Sequence, residues 1–250
     1  QTGTYIYWKP DRDVFTDINI PLSYYQDVLK RQSIVNKGLT FELYDEESDE
    51  KFTYCYENGI KDYISEIVGD TSLTDIQYYE SETRGRDRED KPEYKLKFEI
   101  AFCFDNEKNV VEYYHNSSYL EYGGSPDKAV RSAFVYAIDN YLKNNEMYKK
   151  DEKKIVYSDI EDSLVLIINS FSTITSYENQ TKKSITNKFI QEAITDYLKK
   201  QLEIYFIENK AEADKIANQV IVNKRSRETA EKTRINIKKK LIGNIDMNNR

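Results

Sequence analysis

The side chains of this 250-residue chain that could do chemistry fall into a few short stretches. Gln180-Thr181-Lys182-Lys183 sets an amide, a hydroxyl and two ammonium groups in a polar run between the apolar segment 164–168 and a helical pattern near Phe189. A loop lysine is free to reach a neighbour, and its ammonium is a point charge suited to phosphate oxygens; taken by itself it faces solvent. Gly123-Gly124-Ser125 is a glycine turn feeding a helix, and helix N-termini attract anions. It lacks GxGxxG spacing, and GxxxxGK[ST] is absent, so tight-turn chemistry is the preferred interpretation. His115, the single histidine, ends a strand-like run with no second histidine for a metal pair, which makes it structural. The acidic run 45–50 lacks the bend glycine of a calcium loop and reads as a solvated hairpin tip. Cys55 and Cys103 lie in strand-like runs and form no CxxC or Cys/His pattern, which suits a reducing cytoplasm.

A second kind of chemistry is electrostatic. Residues 221–250 carry nine cations (Lys224, Arg225, Arg227, Lys232, Arg234, Lys238, Lys239, Lys240 and Arg250) against Glu228, Glu231 and Asp246. That stretch holds +6, which leaves −13 on the remainder of a chain whose net charge is −7. A cationic helix on an acidic body points to a polyanion such as duplex DNA. A solvated linker helix is the alternative.

The elements that must position these groups follow from hydropathy. With 39% hydrophobic and 32% charged residues, 22 Tyr and 10 Phe, the chain can bury an aromatic core and has no apolar run that spans a bilayer. The start Gln-Thr-Gly-Thr lacks an initiator Met and a signal pattern, so an interior piece of a longer polypeptide is expected. Residues 4–8 predict a strand, Pro21 and Ser23 introduce a helix closed by Gly38, and alternation predicts short strands over 39–44 and 52–56. Ile60, Tyr63, Ile64, Ile67 and Val68 have helical spacing, with Gly69 as the stop. Residues 81–92 are charged enough to predict a mobile loop. The clearest strand is 94–104, with 110–114 as its expected hairpin partner, and 164–168 is a second buried strand. Ser125 as N-cap and Pro126 in the first turn start a helix whose apolar side runs from Ala129 to Leu142. Beyond Ala211 the apolar residues thin out, so the final helix is expected to project from the domain.

Longer strings then carry a resemblance. Thr2-Gly3-Thr4-Tyr5-Ile6-Tyr7-Trp8-Lys9-Pro10-Asp11, Val14-Phe15 and Val35-Asn36-Lys37-Gly38-Leu39 resemble the segment that follows the ATPase domain in bacterial type IIA topoisomerases. Tyr177-Glu178-Asn179-Gln180-Thr181-Lys182 resembles that family's loop of an aromatic residue followed by Glu-Gly-Gln-Thr-Lys, with Asn179 at its first glycine. Asn is the usual non-glycine visitor to left-handed backbone, so it can stand there. The chain departs from the family at Tyr122-Gly123-Gly124-Ser125-Pro126, where Glu-Gly-Gly-Thr-His is usual, and at Ser184, where a second lysine is common. Over nearly its whole length it is similar to the transducer domain of the family's ATPase subunit, of the gyrase B or topoisomerase IV type.

The resemblance implies an α+β fold similar to ribosomal protein S5 domain 2, with a left-handed βαβ crossover and a long C-terminal helix. It implies a transducer over 1–208 and a basic helix and linker towards a Toprim domain over 209–250. Gln180 and Lys182 would contact the γ-phosphate of ATP, Lys182 as the catalytic group, with ATP otherwise bound by the preceding ATPase domain and Mg2+ held outside this stretch. Lys224, Arg225, Arg227, Lys232, Arg234, Lys238, Lys239 and Lys240 would face double-stranded DNA. Further implied partners are a gyrase A-type subunit and a second ATPase subunit joined through the ATPase domain. A cytoplasmic enzyme without a membrane partner follows, inactive towards ATP as this stretch alone. The alternative class is a stand-alone nucleic-acid-binding or scaffold domain whose Gln-Thr-Lys match is coincidental.

Overall fold

The computed structural model describes residues 2–248, with side chains to residue 242; Asp246 and Arg250, counted in the tail's charge, lie outside the described side chains. Two compact units divide the chain, Gln1–Gly59 and Ile60–Arg250. The first holds helix α1 (Leu22–Val35) and the hairpin of β1 (Phe41–Asp45) and β2 (Glu50–Tyr54), in the register Phe41 opposite Tyr54. The acidic tip at 45–50 is a solvated turn, as the charge pattern predicts; there Asp45 accepts the Ser48 N–H at 3.2 Å. Residues 4–8 form no strand. Tyr5 and Ile6 are largely exposed, and among the described residues no strand pairs with them.

The second unit runs through α2 (Ile60–Val68), β3 (Gln77–Gly85), β4 (Tyr94–Phe104), β5 (Val110–His115), β6 (Ser118–Tyr119), β7 (Gly123–Gly124), α3 (Ser125–Asn144), α4 (Tyr157–Glu161), β8 (Leu164–Ser172), β9 (Ser184–Ile185), α5 (Lys188–Glu208) and α6 (Lys210–Asn248). Its main sheet has the order β3-β4-β8-β5-β6, and β7 pairs with β9 in a separate two-stranded ladder. The fold is therefore mixed α/β, with antiparallel β3-β4-β8 and a parallel β5-β8 pair whose connection carries α3 and α4.

Alternation in β4 explains the layers. Leu96, Phe98, Ile100, Phe102 and Phe104 enter one cluster with Leu164, Leu166 and Ile168 of β8 and the inner faces of α3, α5 and α6. Rings lock across it: Phe102 meets Phe134 edge to face at 5.2 Å, and Phe98 meets Tyr197 at the same distance. The intervening Ala101, Cys103, Val165 and Ile167 are also buried, and α2 lies against β4 and β8. Each such fully buried Ile or Leu contributes ~1.5–3 kcal/mol.

Four expectations are corrected. Residues 81–85 belong to an edge strand paired with 94–98; its charges point away from the core, as in the pair Lys95–Glu82 at 2.8 Å. β5 pairs with β8 and not with β4, whose two edges are taken by β3 and β8. Ser125 is the first helical residue of α3, and Gly124 occupies the N-cap. Finally, α6 completes the core before it leaves: Ala213, Ile216, Ala217, Val220 and Ile221 are buried. No helix of the described residues is long and apolar enough to cross a membrane.

His115 is buried, with Nδ1 2.8 Å from Ser170 Oγ and Nε2 near the hydroxyls of Ser172 and Thr175. Burial among neutral partners pushes its imidazole down to about 4. The unfolded chain then binds a proton before the folded one. Stability is full above about pH 6.5 and falls as pH drops towards 4, by up to ~3 kcal/mol. Urea midpoints across this window should show that slope, and His115→Gln should flatten it.

Candidate functional site

The loop 176–187 stands on a pinned base. Asn187 accepts the Ser176 N–H through Oδ1 at 2.8 Å, and its Nδ2 donates to Asp87 Oδ2 at 2.9 Å and Tyr94 Oη at 3.2 Å. Asp87 also accepts the Phe189 N–H at 2.9 Å, which closes the first turn of α5. Thus the charged 81–92 stretch, expected to be mobile, supplies the anchor. Gly85 belongs to it too: a Cβ there would lie 2.2 Å from the Phe189 ring, so only glycine lets strand and helix meet.

On its other side the loop is bound to the glycine turn. β7 and β9 pair in parallel, the Tyr122 N–H reaches the Lys183 carbonyl at 3.0 Å, and the Ser125 hydroxyl donates to the Ile185 carbonyl at 3.2 Å. Gly124 has φ +85°, and a Cβ on it would stand 2.1 Å from the Ile185 oxygen. The double glycine therefore admits a passing strand, in keeping with the tight-turn interpretation. Lys183 turns back to form an ion pair with Glu121, which raises its affinity for a proton.

Gln180 and Lys182 occupy the exposed tip. The turn is built by Asn179, whose Oδ1 accepts from both the N–H (3.2 Å) and hydroxyl of Thr181, while its carbonyl accepts the Lys182 N–H at 3.3 Å. This corrects the expectation that Asn179 is the left-handed residue: that conformation falls on Lys182, at φ +56°. The Lys182 ammonium lies 5.6 Å from the centre of the Tyr177 ring, and among the described residues it has no carboxylate partner. An uncommitted ammonium and an amide at one tip can donate to an anion presented from outside.

The tail separates into two parts. Lys224, expected to face DNA, is fully buried, 3.1 Å from Glu152 Oε1 and 3.2 Å from Glu228 Oε1. Arg225 makes two contacts of 3.1 Å with Glu152, and Arg227 grips Asp159 at 2.6 and 3.2 Å. All three hold α6 against residues 152–159, and the burial of Lys224 corrects its assignment to a DNA-facing surface. Glu152 is held down at about 2, chiefly by its hydrogen bonds from Arg225. Lys232, Arg234, Lys238, Lys239 and Lys240 are exposed and have no ion pair among the described residues. Glu152 and Asp159 escaped sequence reasoning because their partners lie 72 and 68 residues away. The only signal was their opposite sign.

Comparison with known proteins gives the family of the chain. A family model described as DNA gyrase B matches residues 59–236, starting where the two compact units divide. The DNA gyrase B protein of Spiroplasma citri is 29% identical, over 97% of this chain and 38% of that protein. The B-type subunit of DNA topoisomerase 4 from Bacillus subtilis is 24% identical, over 94% of this chain and 35% of that protein. The chain thus spans well under half the length of these curated relatives. The solved 43K ATPase domain of Thermus thermophilus gyrase B, in complex with an aminocoumarin, shares the fold with a TM-score of 0.63 and 18% identity, over 90% of this chain and 59% of that one. The topoisomerase IV ATP-binding domain of Francisella tularensis does so at 0.64 and 21%, over 87% and 57%. Because the family match takes in all of α2 to α5 and the core-forming half of α6, this chain belongs to the DNA gyrase B family.

Proposed function

We propose that this chain is the transducing part of an ATP-driven type IIA topoisomerase subunit. It reports whether a γ-phosphate is present and passes that report to the parts that handle DNA. The carrying observation is the exposed pair Gln180 and Lys182 on a loop whose two ends are pinned. Both side chains donate N–H groups, and a point charge without a carboxylate partner fits the oxygens of a γ-phosphate. ATP supplies the phosphate whose departure removes that contact. Lys182 contributes charge at the reacting group, and Gln180 orients it. The rest of the nucleotide and its Mg2+ belong to a preceding ATPase domain, so this stretch alone should not turn over ATP. Double-stranded DNA, a gyrase A-type subunit and a second ATPase subunit complete the cytoplasmic enzyme. Within it, residues 1–208 act as the transducer and 209–250 as the outgoing helix.

A photoreactive γ-phosphate ester of ATP tests this in the subunit carrying the ATPase domain. Label should appear in residues 177–183 and should disappear when the reactive group sits on the terminal phosphate of an ADP analogue. Absence of label from this loop with the ATP probe overturns the assignment.

The five exposed cations in the outgoing part of α6, from Lys232 to Lys240, are the ones that would meet a moving duplex. Changing Lys232, Arg234, Lys238, Lys239 and Lys240 together to Gln should weaken DNA binding by the assembled enzyme at low salt. It should also lower the slope of log affinity against log salt by up to ~0.9 per lost phosphate contact. Lys224→Gln should leave that slope unchanged. Slopes from titrations between low and moderate salt decide the point.

A further inference from the structure

The 176–187 loop and the outgoing part of α6 belong to separate stretches of the chain, yet one small element touches the neighbours of both. α4 has five residues, of which Tyr157 and Glu161 stand four apart and so share a face, while Asp159 lies between them and points elsewhere. Tyr157 and Glu161 engage α3: the Arg131 guanidinium lies 4.3 Å from the centre of the Tyr157 ring, and Arg131 Nη2 is 3.9 Å from Glu161. Asp159 engages α6 through Arg227, and its carbonyl accepts Asn223 Nδ2 at 2.9 Å. Asn223 also donates to Ser163 Oγ at 2.8 Å, just beyond α4.

The α3 end of this bridge leads to the loop. Arg131 Nε donates to Asp127 at 2.7 Å, and Asp127 takes the Tyr113 hydroxyl at 3.1 Å in the first turn of α3. That turn begins at Ser125, which is bonded to Ile185, and follows β7, which is paired with β9. A shift of β9 must therefore move β7 and the start of α3 or break their bonds. Arg131 is one turn further along.

We propose that α4 is a two-sided coupling element, gripping the start of α3 through Tyr157 and Glu161 and the outgoing part of α6 through Asp159. Its residues are positioning residues, and none meets nucleotide or DNA. It gives the loop a mechanical route to the cationic end of α6, a role that rests on the nucleotide-sensing assignment of that loop. Asp159 is also tied to its own helix by accepting the Val156 N–H at 2.9 Å, so α4 and the Arg227 contact form one unit.

The test is a double-mutant cycle read by amide hydrogen exchange on this chain. Arg227→Gln, which acts directly on α6, should raise exchange of amides 222–230 about tenfold or more. Tyr157→Leu, on the opposite face, should raise the same amides although it does not touch Arg227, and leave 211–217 unchanged. Arg131→Gln, at a half-exposed position, should do likewise and serves where Tyr157→Leu fails to fold. Combined with Arg227→Gln, either variant should add at least about threefold less than its separate effect. Tyr157→Phe, which keeps the ring, should behave as wild type. Strictly multiplicative effects, or exchange raised equally throughout the chain, overturn the proposal. A Lys182→Ala subunit with normal ATP turnover would instead overturn the loop's assignment, whatever the cycle shows.

Discussion

Lys182→Ala, made in a subunit that carries the ATPase domain, is expected to lower ATP turnover at least tenfold while leaving ADP affinity unchanged. The size follows from the contact proposed: a hydrogen bond to a charged group contributes ~1.5–3 kcal/mol, which is about tenfold to a hundredfold in rate. The selectivity follows from where the ammonium stands. It sits at a solvent-facing tip whose pinned ends do not depend on it, so its removal leaves the Asn187 and Asp87 bonds intact. ADP has no γ-phosphate to present to it. Lys183→Ala is the internal control, because that lysine is committed to Glu121 and should change turnover little. Equal losses of ADP and ATP-analogue affinity in Lys182→Ala would show that the lysine only shapes the loop.

Glu152→Ala should destabilise the folded chain by about 3–5 kcal/mol, since it strips a fully buried ammonium of one of its two carboxylates and also frees Arg225. The penalty comes from the uncompensated charge. Glu152→Ala combined with Lys224→Met should therefore recover much of the loss, although each change removes a partner. Acid should act in the same sense as the single variant. The Glu152 carboxylate titrates at about 2 in the folded chain, below its ordinary value near 4.5, so its contribution is full above pH 4.5 and drains away as pH falls towards 2. Urea denaturation of the four proteins at pH 7 measures the cycle. A single-variant loss below about 1 kcal/mol would mean that water reaches Lys224 and replaces the missing oxygen.

The sequence makes some of this legible and hides the rest for identifiable reasons. β4 and α3 stand out because their apolar residues follow the periodicities of strand and helix, and β8 because Leu164 to Ile168 form an unbroken apolar run. β3 is hidden by its charges: an edge strand solvated on one side can carry Glu80, Glu82 and Arg84 and still form a full ladder. The partner of β5 is invisible because the parallel pair is closed by a long helical connection, and proximity along the chain suggests the wrong neighbour. The first part of α6 is misread because its buried stripe uses Ala213 and Ala217, small residues that contribute little to hydropathy. Lys224 is misread because nothing local distinguishes a buried lysine from a solvated one. At the site, the string Gln180-Thr181-Lys182 identifies the tip. Its support comes from Asp87 and Gly124, whose roles exist only once distant segments meet.

The place of β8 in the middle of the sheet bears on how the chain is made. Translation delivers β3, β4 and β5 first, and β4 can close at once with β3 across the short 86–93 connection. Its other edge, along residues 96–104, has no partner until Leu164 emerges some sixty residues later. Throughout that interval the nascent chain displays an apolar strand with an open row of N–H and C=O groups, which is a template for pairing with another chain. Any polypeptide cut short between residues 104 and 164 keeps that edge permanently. Such truncations should collect in aggregates however much of the rest of the fold they retain, and the hazard ends when β8 inserts.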